Sequence, residues 1–180
     1  MISLLKVTIS GPPGSGTSTL VSRLSKERNW KYINGGEIFR SAAFERKISI
    51  EEFSALCKND LDVDRSLDNT LKQIMTSPES PEIVESRLCG WWAQELKLDC
   101  IKIWISASDI ERAKRIQNRE GGEFNFCLEK SRKRQKDDMD RYKTLYNINL
   151  DDLSPYDLIV EADDKNEDDV FQIVNNYLGG

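Results

Sequence analysis

The stretch from Leu4 to Leu24, LLKVTIS-GPPGSGTS-TLVSRL, constrains this chain more than any other. An apolar, β-type run ends at Ser10, a loop carrying three glycines follows, and an amphipathic helix begins at once. In that order, backbone N–H groups and a helix N-terminus converge on one point and suit an anion. Gly11, Gly14 and Gly16 let the backbone approach phosphate oxygens without an intervening Cβ. The phosphate-loop pattern is G-x-x-x-x-G-K-[ST]; here the chain reads Gly11-Pro12-Pro13-Gly14-Ser15-Gly16-Thr17-Ser18-Thr19. Ser18 stands where the loop hydroxyl reaches Mg²⁺, and Thr17 occupies the lysine position. A plain glycine-rich turn would not require the glycine spacing, the hydroxyl and the flanking elements to coincide. A nucleotide-binding loop from Gly11 to Thr19 is therefore expected. Thr17 brings no charge, but its hydroxyl can donate one hydrogen bond to a phosphate oxygen.

The 180 residues suit a single α/β domain. With a formal net charge of −5, the surface argues against nucleic acid or an anionic membrane as a partner. An anionic ligand then needs a local basic pocket. No apolar run approaches the roughly 20 residues of a membrane span, and no leader pattern precedes the first strand. Cys57, Cys89, Cys100 and Cys127 form no C-x-x-C pair, and the chain has no histidine. That composition excludes the common zinc patterns and a histidine general base, and it points to reduced thiols. A soluble, cytoplasmic monomer is the expectation.

Further along, Leu20, Val21 and Leu24 give the first helix one apolar face, which should run to about Arg28. Trp30 to Ile33 reads as a second strand ended by Asn34-Gly35-Gly36, with a helix from near Glu37 that carries Arg40. Ser49 to Glu52 has capping-box spacing, and a further helix spans Asp62 to about Met75. Some three helices thus separate the second and third strands, too long for a simple crossover, and a small helical insertion is expected. Ile83-Val84 ends in Glu85, an acid beside the phosphate loop that is placed to bind Mg²⁺ through water. Trp91 and Trp92 on the next helix read as packing residues. Ile101 to Ile105 is the clearest late strand. Ser108 to Glu111 has capping-box spacing again, opening a helix on which Arg112, Arg115 and Arg119 share one face. Gly121-Gly122 ends it, and the region to Lys133 reads as a mobile cover hinged there. Arg134, Asp138 and Arg141 then align on one face of a charged helix, although its i, i+4 pairs also fit a solvated surface. Leu158 to Val160 is the last strand, and Val170 to Leu178 the closing helix. The alternation implies a parallel sheet with helices on both faces and a site at the carboxyl ends of its strands.

With these residues in view, the chain resembles the nucleoside monophosphate kinases, and within them the archaeal-type cytidylate kinases. The likeness is carried over nearly the whole length by GPPGSGTST, NGGEIFR, ESR at Glu85 to Arg87, ERAKRIQNRE and RYKTLYNINLDDLSPYDLIV. It implies a P-loop NTPase-type three-layer α/β fold in one domain over residues 1–180, with an NMP-binding helical insertion at about 36–77 and a lid at about 120–133. It further implies ATP on the loop and transfer of its γ-phosphoryl group to CMP or dCMP with Mg²⁺ held at Ser18 and Glu85. Arg40 and Arg87 would hold the acceptor phosphate, and Arg134, Asp138 and Arg141 the acceptor nucleotide. Arg115 and Arg119 would serve the ATP side, and with Arg134 they are the candidate catalytic cations. The family's general pattern has aspartates where this chain has Leu88 and Gln135; Thr17 matches the archaeal-type branch. An adenylate or other small-molecule kinase on the same scaffold, or a regulatory ATPase without kinase turnover, are the alternatives.

Overall fold

Alternation along Val7–Ser10 sets the central strand. Val7 and Ile9 face one side with nothing exposed, while Thr8 and Ser10 face the other and are equally buried. The computed structural model describes residues 3–179. Its strands are β1 (Val7–Ser10), β2 (Tyr32–Asn34), β3 (Ile83–Glu85), β4 (Ile101–Ser106) and β5 (Leu158–Glu161). They form one parallel sheet in the order β2-β3-β1-β4-β5. Val7 lies opposite both Ile83 and Ile101, so the loop after β1 leaves from the middle of the sheet's carboxyl edge.

Helices α1 (Thr17–Arg28) and α8 (Glu167–Tyr177) cover the face to which Val7, Ile9, Ile83 and Ile103 point. The opposite face is covered by α4 (Leu61–Thr76), α5 (Cys89–Glu95) and part of α7 (Phe124–Tyr146), which bury Val84, Leu88, Trp92 and Tyr142. Such two-sided cover is what a parallel sheet requires, and it makes the architecture a three-layer α/β fold. Helices α2 (Gly35–Glu45) and α3 (Ile50–Asn59) join α4 around a separate small core of Ala43, Phe53 and Cys57. Helix α6 (Asp109–Glu120) packs on α7 through Ala113, Ile116 and Cys127.

Several local expectations shift, each for an identifiable reason. Trp30 does not enter β2. Asn29 takes a left-handed conformation that turns the Trp30 N–H back to the Ser25 carbonyl, and Arg28 lies over the indole ring. Gly35 and Gly36 belong to α2 rather than ending a strand, because Asn34 caps the helix and accepts from Glu37 N–H at 2.8 Å. The box at Ser49 forms in both directions, but the one at Ser108 only in one. There the cap's own N–H goes to Asp163, which leaves Glu111 to pair with Arg115. In the stretch 120–133, read from sequence as a cover ahead of the charged helix, α6 ends, Gly121 and Gly122 turn with positive φ, and α7 already begins at Phe124. Trp92 is buried as a packing residue should be, edge-on to Tyr146 and beneath the Lys72 ammonium.

Candidate functional site

The loop between β1 and α1 takes its shape from two left-handed turns, Gly14 at φ 81° and Gly16 at φ 93°, where a side chain would be strained. Gly16 caps α1 without any side-chain hydrogen bond, so first-turn N–H groups remain for a ligand. A Cβ on Gly11 would lie 2.5 Å from Ser15 Oγ, so that position is closed to larger residues. Two arginines of α6 fasten this loop from outside. Arg112 is buried and donates to the Pro13 and Ala107 carbonyls, to Ser131 Oγ and to Gln135 Oε1. Arg115 donates to the Ser15 carbonyl at 2.7 Å, to the Ala162 carbonyl and to Glu111.

Beside the loop, Glu85 at the end of β3 is buried, and its Oε1 accepts from Thr17 Oγ1 at 2.7 Å and Ser18 Oγ at 3.3 Å. Parallel pairing of β3 with β1 brings these residues together across the sheet edge. Thr17 therefore spends its hydroxyl on Glu85 rather than holding it toward a phosphate. The carboxylate and hydroxyls form a hard-oxygen donor set, the kind that holds Mg²⁺ through one or two protein groups while substrate oxygens supply the rest.

A cleft of about 670 Å³ opens over this edge of the sheet. Its floor is the loop, Pro12 to Thr19, with Glu85, Ser86 and Arg87 from the end of β3. Helix α2 contributes Ile38, Phe39 and Arg40; α4 contributes Asp64, Leu67, Asp68 and Leu71. Helix α7 contributes Arg134, Asp138, Arg141 and Tyr142, and α6 contributes Arg119. Within it runs a chain of ion pairs. Arg87 donates to the Gly11 carbonyl at 3.0 Å and to Asp138 at 3.1 Å; Arg141 meets Asp138 at 3.3 Å and Asp64 at 3.4 Å. Burial alone would weaken the charge of Arg141, but the Tyr142 hydroxyl, Asp138 and Asp64 hold its pKa above the usual arginine value. Burial raises Asp64, partly opposed by Arg141, and pushes Asp68 up to about 6, opposed by the hydrogen bond from Tyr146.

The structure thus brings Arg40, Arg87, Arg119, Arg134, Asp138 and Arg141 to one cleft with the loop; Asp138 and Arg141 are half-buried there, Arg134 is exposed, and the i, i+4 pairs Lys133–Asp137 and Lys136–Asp140 form at the surface. Arg115 departs from expectation. All three of its side-chain nitrogens donate into the protein, so it braces the loop instead of facing the cleft. Leu88 and Gln135, where the family pattern has aspartates, are explained locally: Leu88 is buried in the core, and Gln135 receives the Arg112 guanidinium. Sequence reasoning missed Arg112 as a clamp, and it missed Asp64 and Asp68. The two acids were detectable, since they interrupt the Leu67–Leu71–Met75 stripe of α4 at i, i+4 spacing.

A parallel sheet in this order, a phosphate loop after its central strand and an arginine-lined cleft define a P-loop kinase. A family model described as an AAA domain matches residues 7–140. The cytidylate kinase of Methanosarcina mazei is 43% identical over 164 residues, covering 91% of this chain and 90% of that protein. Those of Thermococcus kodakarensis and Archaeoglobus fulgidus are 39% and 35% identical, each over 94% of this chain and over 86% and 92% of their own lengths. The chain belongs to the cytidylate kinase family. A shikimate kinase from Bacteroides thetaiotaomicron superposes with a TM-score of 0.62 at 13% identity, covering 98% of this chain and 99% of its own, which extends the likeness of fold alone.

Proposed function

We propose that this protein transfers the γ-phosphoryl group of ATP to CMP or dCMP. One observation carries the reading most directly. The phosphate loop and four further arginines from α2, β3's end and α7 (Arg40, Arg87, Arg134 and Arg141) line a single cleft large enough for two phosphorylated ligands. ATP phosphates would lie on the Gly11–Thr19 backbone and the N-terminus of α1, with Arg119 supplying the charge that Thr17 lacks. Arg40 and Arg87 would hold the acceptor phosphate, and Arg134 would stand between the two groups as charge spreads over the transferred phosphoryl oxygens. Asp138 would keep Arg87 and Arg141 in register for the acceptor nucleotide. Because the nucleophile is an already ionised phosphate oxygen, no side chain has to remove a proton. Positioning and charge are then the protein's whole contribution.

Glu85 and Ser18 present the oxygens that would hold Mg²⁺, which would offset negative charge on the ATP phosphates, while Thr17 orients the carboxylate. The protein is expected to act as a monomer in the cytoplasm. No helix among the described residues is long and apolar enough to cross a membrane.

The test is ADP release measured with ATP and each of CMP, dCMP, UMP and AMP. Turnover with CMP and dCMP exceeding that with AMP supports the proposal. AMP at least as good as CMP in kcat/KM makes the protein an adenylate kinase on this scaffold. ATP hydrolysis indifferent to every monophosphate makes it a regulatory ATPase instead.

A further inference from the structure

The part of the cleft remote from the loop has a chemistry of its own. Arg112 and Arg87 tie the Gln135 and Asp138 levels of α7 to the Pro13 and Gly11 carbonyls. Arg141 stands seven residues beyond Arg134, roughly 10 Å farther along the helix. At that depth the wall is apolar, with Ile38, Phe39, Leu67 and Leu71, and into it project two carboxylates of α4, Asp64 and Asp68. A phosphate would be repelled there. A flat base, stacked against apolar side chains and read by a few polar atoms, fits.

The two carboxylates are held differently. Asp64 is only 7% exposed, and its Oδ2 is spent on an ion pair with the buried Nε of Arg141 at 3.4 Å, which holds that guanidinium against the wall. Asp68 accepts from the Tyr146 hydroxyl through Oδ2, while its Oδ1 meets no hydrogen-bond donor among the described residues. A carboxylate oxygen of Asp68 and the neighbouring Arg141 guanidinium match the edge of an amino-pyrimidine, which offers N–H at its exocyclic amine and bare N3 and O2 atoms. They mismatch an oxo-pyrimidine, which offers a carbonyl and an N3–H.

We propose that Asp68, with Asp64 beside it, receives the exocyclic amine of the acceptor base and makes this kinase choose amino- over oxo-pyrimidine monophosphates. The inference rests on the acceptor site lying in this cleft, as proposed above. Adenine presents the same amine, so the pair sorts amino bases from oxo bases and leaves ring size to the apolar wall.

The test compares kcat/KM for CMP and UMP in the wild type, Asp64→Asn and Asp68→Asn, with ATP affinity measured by calorimetry as a check on the loop. The CMP:UMP ratio should fall at least tenfold in Asp68→Asn and by a smaller factor in Asp64→Asn, while ATP affinity stays within twofold. A second measurement leaves the protein untouched. The monophosphate of the pyrimidin-2-one nucleoside, which has hydrogen in place of the amine, should lose at least tenfold in kcat/KM against CMP. A wild type that uses CMP, together with unchanged ratios in both variants or full use of the deaminated analogue, overturns the inference alone. A wild type inert toward CMP overturns it together with the proposed function.

Discussion

Thr17 and Asp68 show how single residues here trade one role for another. Thr17 sits in the lysine position of the loop but gives its hydroxyl to Glu85, so it orients that carboxylate and brings no charge to a phosphate. Thr17→Ala removes one hydrogen bond to a carboxylate, about 1–2 kcal/mol, and is expected to lower kcat/KM modestly with ATP binding intact. Arg119 lines the cleft and, among the described residues, pairs only with Glu120 on its own helix. Arg119→Ala should depress kcat far more than the KM for ATP, because its charge matters most as phosphoryl charge develops. Steady-state kinetics on both variants, beside calorimetric ATP binding, is the check; full kcat in the arginine variant removes Arg119 from the mechanism.

Asp68 bears on stability as well as on recognition. Burial pushes its folded pKa up to about 6, above the ordinary aspartate value of 3.8, so its contribution to stability is fully present below about 3.8 and is lost as pH rises through about 6. Asn keeps the Tyr146 hydrogen bond and stays neutral. Asp68→Asn should therefore melt higher than wild type at pH 7.5, by roughly 2–4 °C for each kcal/mol recovered, and match it below pH 4. Thermal melts across that range decide the matter. A lower melting temperature at pH 7.5 would mean that the charge is structural.

At the scale of elements, α6 and α7 work as a pair around Gly121 and Gly122. Arg112 crosses from α6 to α7 and to the loop, so its removal leaves Ser131, Gln135 and the Pro13 carbonyl without their donor. Arg112→Met should cost about 2–3 kcal/mol in urea unfolding and raise the KM for ATP. Unchanged stability would show that the clamp is redundant. On α7, Arg134→Ala and Arg141→Ala should each lower kcat/KM for CMP at least tenfold, about 1.4 kcal/mol, without loss of fold. Activity near wild type in both would return that face to solvent.

The molecule as a whole is a sheet domain that owns the loop and a helical insertion that owns the far wall of the cleft. The insertion has its own small core around Phe53, connected to the main body through Leu67 of α4, which packs in both. Phe53→Ala should cost about 3–5 kcal/mol, concentrated in α2–α4. Because the loop is anchored elsewhere, CMP affinity should fall more than tenfold while ATP affinity stays within twofold, both read by calorimetry. Equal losses for the two ligands would mean that insertion and sheet unfold as one unit.

Much of this was legible in the chain. Periodicity located the strands and most helices to within a few residues, although α7 begins at Phe124, inside the stretch read as a cover, and glycine and hydroxyl spacing marked the loop, because backbone geometry is decided by neighbours in sequence. The capping box at Ser49 formed as spaced, since its partners lie three residues apart. Arg112, Arg115 and Arg119 mark the boundary. Their spacing put them on one helical face, yet one is buried across α7, one braces the loop and one lines the cleft. Helical spacing fixes an angle about an axis, whereas what waits at each level of that axis is set by segments far away in sequence. Thr17 meets Glu85 only because β3 pairs beside β1, and Asp64 meets Arg141 only because α7 folds back over α4. Those contacts span nearly 70 residues or more, and only the closing of the sheet and the packing of helices on it could decide them.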